Sequence, residues 1–472
     1  MAVVHLFQVG TFEQHGLLTL AAVCRHAGHD VHLGSIRSPS GVVDDVHRSG
    51  AAVVGFGATT GMHHDVLAAA QAVKEHTAAL VVLGGPHATA CSSVLNHPAV
   101  DAICRGEGEA ALLELLDEID GKRPPGPIAN LVRKGEDPAS SPVRAPVADL
   151  DSLPFVDRDL YHSAFACHGT PLRYFLAGRG CPFSCTYCLG PAMHREFGGP
   201  AVRSRSVEHV IGEMREVRDR WGLKSVLIAD DIFGLDKEWA RAFLDAYREQ
   251  VALPFSCHLR VGTFDETFCS DLKNAGCWMV SFGVEAGSDR VRREIMGRSI
   301  SRKDIVAAAH MIKSAGMKLE TTNMVGLPTE TVEEAFETVD LNRECHPDMV
   351  SVSIFQPYPG TVLADLCEAR GLVADDYVDR ISRTYFESSP LRQSGIDQLV
   401  NLHKFFALAV FHPRLERSIR RLIQRRPNRL FTIVFLASHG IRSIKLYGLQ
   451  GGQLLGAAAR WAQFFLTRGR PA

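Results

Sequence analysis

The chain has 472 residues and a formal net charge of -2, with 51 Lys and Arg mixed among 53 Asp and Glu, which excludes a basic field for nucleic acid and a disordered acidic tail. That length is enough for two or three domains, each with its own core. Most of the 12 cysteines stand singly in apolar segments, as Cys24, Cys91, Cys104 and Cys257 do, unlike a secreted disulfide scaffold. The opening "MAVVHLFQVG" reads as a strand rather than a signal peptide, and apolar runs such as "LFTIVFLA" from Leu430 fall short of the about 20 residues that span a bilayer. The expectation is a cytoplasmic protein without a transmembrane segment.

In chain order, β-like runs start at Val3, Asp30, Ala51, Ala79 and Val100, each followed by a helical pattern such as "LLTLAAVCRHAG" or "EGEAALLELLDEIDG". That alternation predicts a doubly wound, Rossmann-like parallel sheet over residues 1–125, with ligands at the carboxyl ends of its strands. Those ends read "GFGATTG" (Gly55, Gly57, Thr59, Thr60), "GGPHATA" (Gly84, Gly85, His87, Thr89) and "RGEGE" (Gly106, Glu107). Glycine admits a large flat ligand close to the backbone, and the threonines offer hydrogen bonds to its rim. Ordinary strand-to-helix turns explain any one of these loops; three on one edge favour a ligand.

Residues 126–165 are rich in Pro and charge ("RPPGPIANLVRKGEDPASSPVRAPVADLDSLPF" in and before them), which predicts an extended surface linker. A second alternating series starts strands at Arg173, Ser225, Pro254, Trp278, Lys318 and Asp348. Six βα units over 166–360 predict an open, partial (β/α)6 barrel. From Thr361 to 472 the pattern is mostly helical and Arg-rich, a candidate cap over the barrel mouth; solvated helix faces account for its charges more simply.

The sharpest signal is "GRGCPFSCTYC", which puts Cys181, Cys185 and Cys188 on one loop after the first strand of the second series. Three thiolates suit an iron-sulfur cluster or zinc; a structural zinc site would want a fourth ligand and paired Cys-x2-Cys knuckles, which this chain lacks. Three protein thiolates on a four-iron cluster leave one iron open.

"CPFSCTYC", with Tyr187 before the last cysteine, resembles the radical S-adenosylmethionine superfamily. The order of an α/β domain before the loop, and the phrases "RSRS", "DDIF", "FGVEAG", "GLPTET" and "PYPGT", resemble its cobalamin-dependent branch. The resemblance implies a 4Fe-4S cluster on Cys181, Cys185 and Cys188, with S-adenosylmethionine chelated on the open iron. It places the cofactor's zwitterion and ribose near Tyr187, Arg203, Ser204, Arg205, Asp230, Asp231, Arg260, Glu285, Gly326 and Gln356. An ammonium needs acceptors, here Asp230, Asp231 or Glu285, and a carboxylate needs a cation, here Arg203, Arg205 or Arg260; a surface ion pair is an equally good account of any one of them. Cobalamin would lie on the first domain. Many cobalamin domains carry Asp-x-His-x-x-Gly after the first strand; here the loop reads "GTFEQHG", and His15, a lone loop histidine, is not expected to ligate cobalt.

The implied reaction moves a methyl group from S-adenosylmethionine through cobalamin to an unactivated carbon, after hydrogen abstraction by a 5'-deoxyadenosyl radical made at the cluster. A cyclisation or rearrangement without methyl gain, and a cobalamin sensor without turnover, are the rivals; a sensor has no evident need for an open iron. The implied partners are a small-molecule substrate and an external electron donor such as flavodoxin or ferredoxin. Tyr358, Tyr377 and Tyr385 are candidate substrate contacts. Apolar stretches in the tail, "KFFALAVF" from Lys404 and "ARWAQFFL" from Ala459, hint at a hydrophobic substrate, although core packing explains them more cheaply.

Overall fold

Strands β1 (Val3–Gln8), β2 (Asp30–Ser35), β3 (Val53–Gly57), β4 (Leu80–Gly84) and β5 (Ala102–Cys104) lie parallel in the order β2-β1-β3-β4-β5, and an antiparallel β6 (Leu131–Arg133) closes the edge in this computed structural model. The structure describes residues 1–165 and 172–447. Runs such as "VVGFG" and "LVVLG" are buried on both faces because helices cover both sides of a parallel sheet. Two apolar clusters result: one on Phe7, Val54, Val66, Val73 and Leu83, the other on Val4, Leu18, Leu115 and Leu116.

The second sheet holds β7 (Leu172–Phe175), β10 (Ser225–Ile228), β11 (Phe255–Leu259), β12 (Cys277–Glu285), β13 (Lys318–Val325) and β14 (Met349–Ile354), all parallel, in the order β14-β13-β12-β11-β10-β7. Six strands with helices outside make the expected half-barrel. Alternate residues Phe255, Cys257, Val280, Phe282 and Leu319 face the helices and form the largest core, so Ser256, His258, Ser281 and Glu320 face the concave side. The helices start where their caps sit. Ser206 accepts from the His209 amide, while Ser301 with Asp304 and Thr331 with Glu334 form capping boxes.

Two features depart from the sequence expectation. The linker is not simply extended chain: Leu131 and Val132 are buried as the edge strand β6, and helix Arg158–Phe165 packs Tyr161 into the first domain's core. Prolines flank these short apolar segments and hide their periodicity. A further two-stranded ribbon, β8 (Gly178–Arg179) against β9 (Arg203–Ser204), was not expected from so few residues. In the tail, helix Ile396–Phe411 buries Leu399, Leu402, Phe405, Phe406 and Ala409 against the β14 side of the barrel; "KFFALAVF" is therefore core. "ARWAQFFL" lies outside the described residues. No helix among the described residues is long and apolar enough to cross a membrane.

Candidate functional site

The β8–β9 ribbon brackets the cysteine loop. Gly180 has φ +98°, and a Cβ there would stand 2.2 Å from the Ala201 carbonyl oxygen, so the loop must begin on glycine. Inside the loop the Cys188 amide donates to the Cys185 carbonyl at 3.1 Å. Thr186 pins the loop to the barrel: its amide donates to Met296 at 3.2 Å, its hydroxyl to Ile295 at 2.6 Å, and its carbonyl accepts from Leu363 at 3.0 Å. Cys181, Cys185 and Cys188 are free thiols, buried to exposed in the order Cys185, Cys181, Cys188. Desolvation, Asp231 and the neighbouring thiols push the Cys181 and Cys188 thiols up. Thiols gathered on one loop beside a carboxylate are a donor set that a cationic iron group would satisfy. Among the described residues no three metal-ligating side chains converge as for a single ion. The donor set fits a cluster bound through one loop.

Around the loop stand the strand-end residues. Arg260 Nη1 is 3.6 Å from Cys185 Sγ, its guanidinium lying over the Phe183 ring. Asp230 accepts from the Ala177 and Gly178 amides at 2.7 and 3.3 Å, yet burial lifts its carboxyl to about 7. Glu285, at φ +64°, accepts from Thr322 at 3.3 Å and lies 3.6 Å from Arg298. Arg298 Nη1 donates to the Tyr187 hydroxyl at 3.0 Å and Nη2 to the Gly283 carbonyl at 2.8 Å. Asp231 is at the exposed rim. The Gly326 amide donates to Glu330 Oε2 at 2.6 Å, and Gln356 donates to the Ser388 carbonyl at 2.6 Å. Nothing in the sequence singles out Arg298 or Thr322, which act from later loops and strands; Glu330 lies within "GLPTET", where Gly326 was the residue expected at the cofactor.

Several sequence candidates are occupied elsewhere. Arg203 donates to Glu107 at 2.8 and 3.2 Å and to the Val147 carbonyl at 2.5 Å. Arg205 donates to Glu213 at 2.5 Å, to His209 and to the Leu176 carbonyl. Of the three arginines considered, Arg260 is the one beside the cysteines. Ser204 is exposed on the ribbon. Tyr377 is buried in the core beside Leu363 and Cys367, and Tyr358 packs against it; Tyr385 is exposed and pairs with Phe386 at 4.3 Å.

In the first domain, Gly55 and Gly57 face neighbouring side chains, since a Cβ on them would stand 2.7 Å from Leu6 and 3.2 Å from Leu17. Their lack of a side chain serves sheet packing. Gly85 has φ +91°, and a Cβ there would meet the Ala58 carbonyl at 2.9 Å; Gly84 is partly open beside it. Thr59 is exposed, while Thr60 shares a 3.0 Å hydrogen bond with buried His87, whose ring stacks on His63 at 4.1 Å. Burial depresses both imidazoles, to about 4 for His87 and about 3 for His63. His63 Nδ1 accepts from the Gly61 amide at 2.9 Å, which puts the proton on Nε2, a buried atom without a partner. That orphaned donor on the strand-end edge fits a bound group with acceptors, as a corrin side chain or nucleotide tail offers. His15 begins helix His15–His26 rather than sitting in a loop. Burial, then Arg158, lowers it to about 4, so its surroundings are an ion-pair cluster with Glu213. Gly106 and Glu107 are turned to the barrel side of the molecule, with Glu107 taken up by Arg179 and Arg203.

A doubly wound sheet followed by a half-barrel, with three thiols on the loop after its first strand, defines a protein that pairs a nucleotide-like ligand domain with a cluster-bearing barrel. The chain matches the B12 binding domain over residues 9–116 and the Radical SAM superfamily over residues 175–341. The chain thus carries a B12-binding domain followed by a radical SAM domain, and these two domains imply a 4Fe-4S cluster, S-adenosylmethionine and cobalamin as cofactors. It is 29% identical over 368 residues to an uncharacterized methyltransferase of Pyrococcus horikoshii, covering 76% of this chain and 79% of that one. It is 26% identical over 343 residues to cytidylyl-2-hydroxyethylphosphonate methyltransferase of Streptomyces wedmorensis, 62% of each chain. The fold is shared with the radical S-adenosylmethionine methyltransferase TsrM of Kitasatospora setae (TM-score 0.63, 19% identity, 79% and 77% of the chains). It is shared also with the cobalamin-dependent radical enzyme OxsB (TM-score 0.68, 13% identity, 100% and 80%).

Proposed function

We propose that the protein is a cobalamin-dependent radical S-adenosylmethionine methyltransferase that adds a methyl group to an unactivated carbon of a small molecule. The observation that carries this reading is the loop of Cys181, Cys185 and Cys188 set beside Arg260 on a barrel preceded by a B12-binding domain. When bound, the cofactors supply the methyl group, its carrier and the radical that opens the C–H bond. The chain's own residues bind and orient. Arg260 offers a cation for the carboxylate of S-adenosylmethionine, and Asp230 and Glu285 offer acceptors for its ammonium or ribose. Arg298 holds Tyr187 and Glu285 in place through the contacts at 3.0 and 3.6 Å. The stretch from Leu363 to Leu391 packs with Tyr187, Met296 and Leu327 beside the cysteine loop, where it would keep water from the reacting atoms. A low-potential flavodoxin or ferredoxin in the cytoplasm supplies the electron.

Similarity to anaerobic magnesium-protoporphyrin IX monomethyl ester cyclase of Rubrivivax gelatinosus, 26% identical over 295 residues and spanning 52% of that protein, keeps ring formation as the second reading. The test is anaerobic loading with iron, sulfide and hydroxocobalamin, then mass spectrometry of small-molecule extracts incubated with methyl-labelled S-adenosylmethionine. A product carrying one labelled methyl supports methyl transfer. A product of unchanged carbon count supports cyclisation, and protein that takes up neither iron nor cobalt refutes both.

A further inference from the structure

The stretch Arg105–Glu109, which follows β5, docks onto the elements that flank the cysteine loop. Arg105 is ion-paired with Glu196 of helix Gly190–Phe197, and the space where a Gly106 side chain would go is taken by the Phe197 ring, 3.0 Å from the position of a Cβ. Glu107 Oε1 accepts from Arg179 at 2.9 Å and from Arg203 at 2.8 Å; its Oε2 accepts from Arg203 at 3.2 Å and from the Val147 amide at 2.7 Å. Glu109 takes the other arm of Arg179 at 2.8 Å. Arg179 lies two residues before Cys181, and Arg203 is on the opposite strand of the same ribbon. Burial acts to raise the Glu107 carboxyl, but Arg203 and Arg179 hold it below the ordinary glutamate range. One carboxylate of the first domain thus ties both strands from which the cysteine loop springs.

We propose that Glu107 is a positioning residue that fixes the spacing between the cobalamin of the first domain and the cluster on the cysteine loop, rather than a cofactor ligand. This rests on the reading that both groups are bound. Transfer between two cofactors on separate domains depends on their separation, and a multidentate, half-buried ion pair on short segments holds it more firmly than an exposed single pair would. Neighbouring Glu114, which pairs with Arg123 at 3.0 Å and with Arg144 of the linker but with neither Arg179 nor Arg203, supplies a control of similar chemistry.

The protein is loaded anaerobically with iron, sulfide and cobalamin and reduced so that cob(II)alamin and the reduced cluster are both paramagnetic. Relaxation enhancement of the cob(II)alamin signal by the cluster then reads their separation. Wild type and Glu114→Gln are expected to share one enhancement. Glu107→Gln and Arg179→Gln are expected to hold iron and cobalt at wild-type stoichiometry while losing it, with a broader spread of distances. Arg179→Gln carries the test where Glu107→Gln does not fold. An unchanged enhancement in the variants overturns the proposal. So does selective loss of cobalamin from Glu107→Gln, which would make Glu107 a ligand, or failure of both variants to hold either cofactor, which would make the pair a folding requirement. Wild-type protein that binds neither metal refutes the proposed function instead.

Discussion

The guanidinium of Arg260 stands 3.6 Å from the sulfur of Cys185 and lies on the Phe183 ring, 3.8 Å from its centroid. Arg260 is therefore held against the cysteine loop by the loop's own aromatic residue, while Arg298 meets the same loop at the Tyr187 hydroxyl. Cation and thiols come from different strands, β11 and the segment after β7, and meet only in the folded barrel.

Arg260→Gln is expected to leave iron content intact and to weaken S-adenosylmethionine. A charge-assisted hydrogen bond is worth about 1.5–3 kcal/mol, or one to two orders of magnitude in Kd. Equilibrium binding of S-adenosylmethionine to the anaerobically loaded protein checks this, and an unchanged Kd would move the carboxylate site elsewhere.

Each of Cys181→Ala, Cys185→Ala and Cys188→Ala is expected to abolish stable cluster uptake while cobalamin still binds, because the thiols and the first domain's loops are separate donor sets. Iron and cobalt analysis of the same preparations is the measurement. A Cys188→Ala protein that retains four irons would remove that cysteine from the ligand set.

Glu330 gives a pH signature. It is 2% exposed, its Oε2 accepts from the Gly326 and Leu327 amides at 2.6 and 3.1 Å, its Oε1 has no partner, and burial raises its carboxyl to about 8. The folded pKa lies above the unfolded one, so the folded protein binds a proton that the unfolded chain has released between the ordinary glutamate pKa of about 4.3 and a pH of about 8. Its contribution to stability is full below that window and is lost as pH rises through it, at up to about 1.4 kcal/mol per pH unit. Glu330→Gln keeps the acceptor and has no proton to lose. Denaturation at pH 5 and pH 8 should show the variant gaining on wild type at the higher pH; parallel curves would contradict the assignment.

Glu213 has the opposite character. Arg158 and Arg205 both donate to it, Arg158 also donates to the Tyr174 carbonyl at 2.8 Å, and Glu213 is 2% exposed. Burial opposes ionisation, yet the two guanidiniums hold the carboxyl at about 2. Glu213→Ala leaves two arginines facing each other beside neutral His15, and a loss of about 3–5 kcal/mol is expected. Urea titration checks it, and a loss below about 1 kcal/mol would show that water reaches the cluster and screens it.

The first sheet, the six barrel strands and the cysteine loop were legible in the sequence because each rests on local order. Alternating apolar runs, glycine-rich strand ends and three cysteines between Cys181 and Cys188 lie in or beside the elements they define. Leu131 and Val132 were hidden because three residues between prolines carry no readable period, and their burial comes from β5, some thirty residues back in the chain.

What the amino-acid order determined by itself is the pair of βα series, the trio of thiols and the chemistry those thiols invite. Only tertiary structure decided which charges were left for a ligand. Arg203, Arg205 and Glu107 look as available in sequence as Arg260 does, but an ion pair depends on distance in space, and folding joins Arg203 to Glu107 and Arg205 to Glu213. The same selection placed Arg298 beside Tyr187, residues 111 positions apart, because neighbouring strands of a parallel barrel bring together loops that the chain separates by whole βα units.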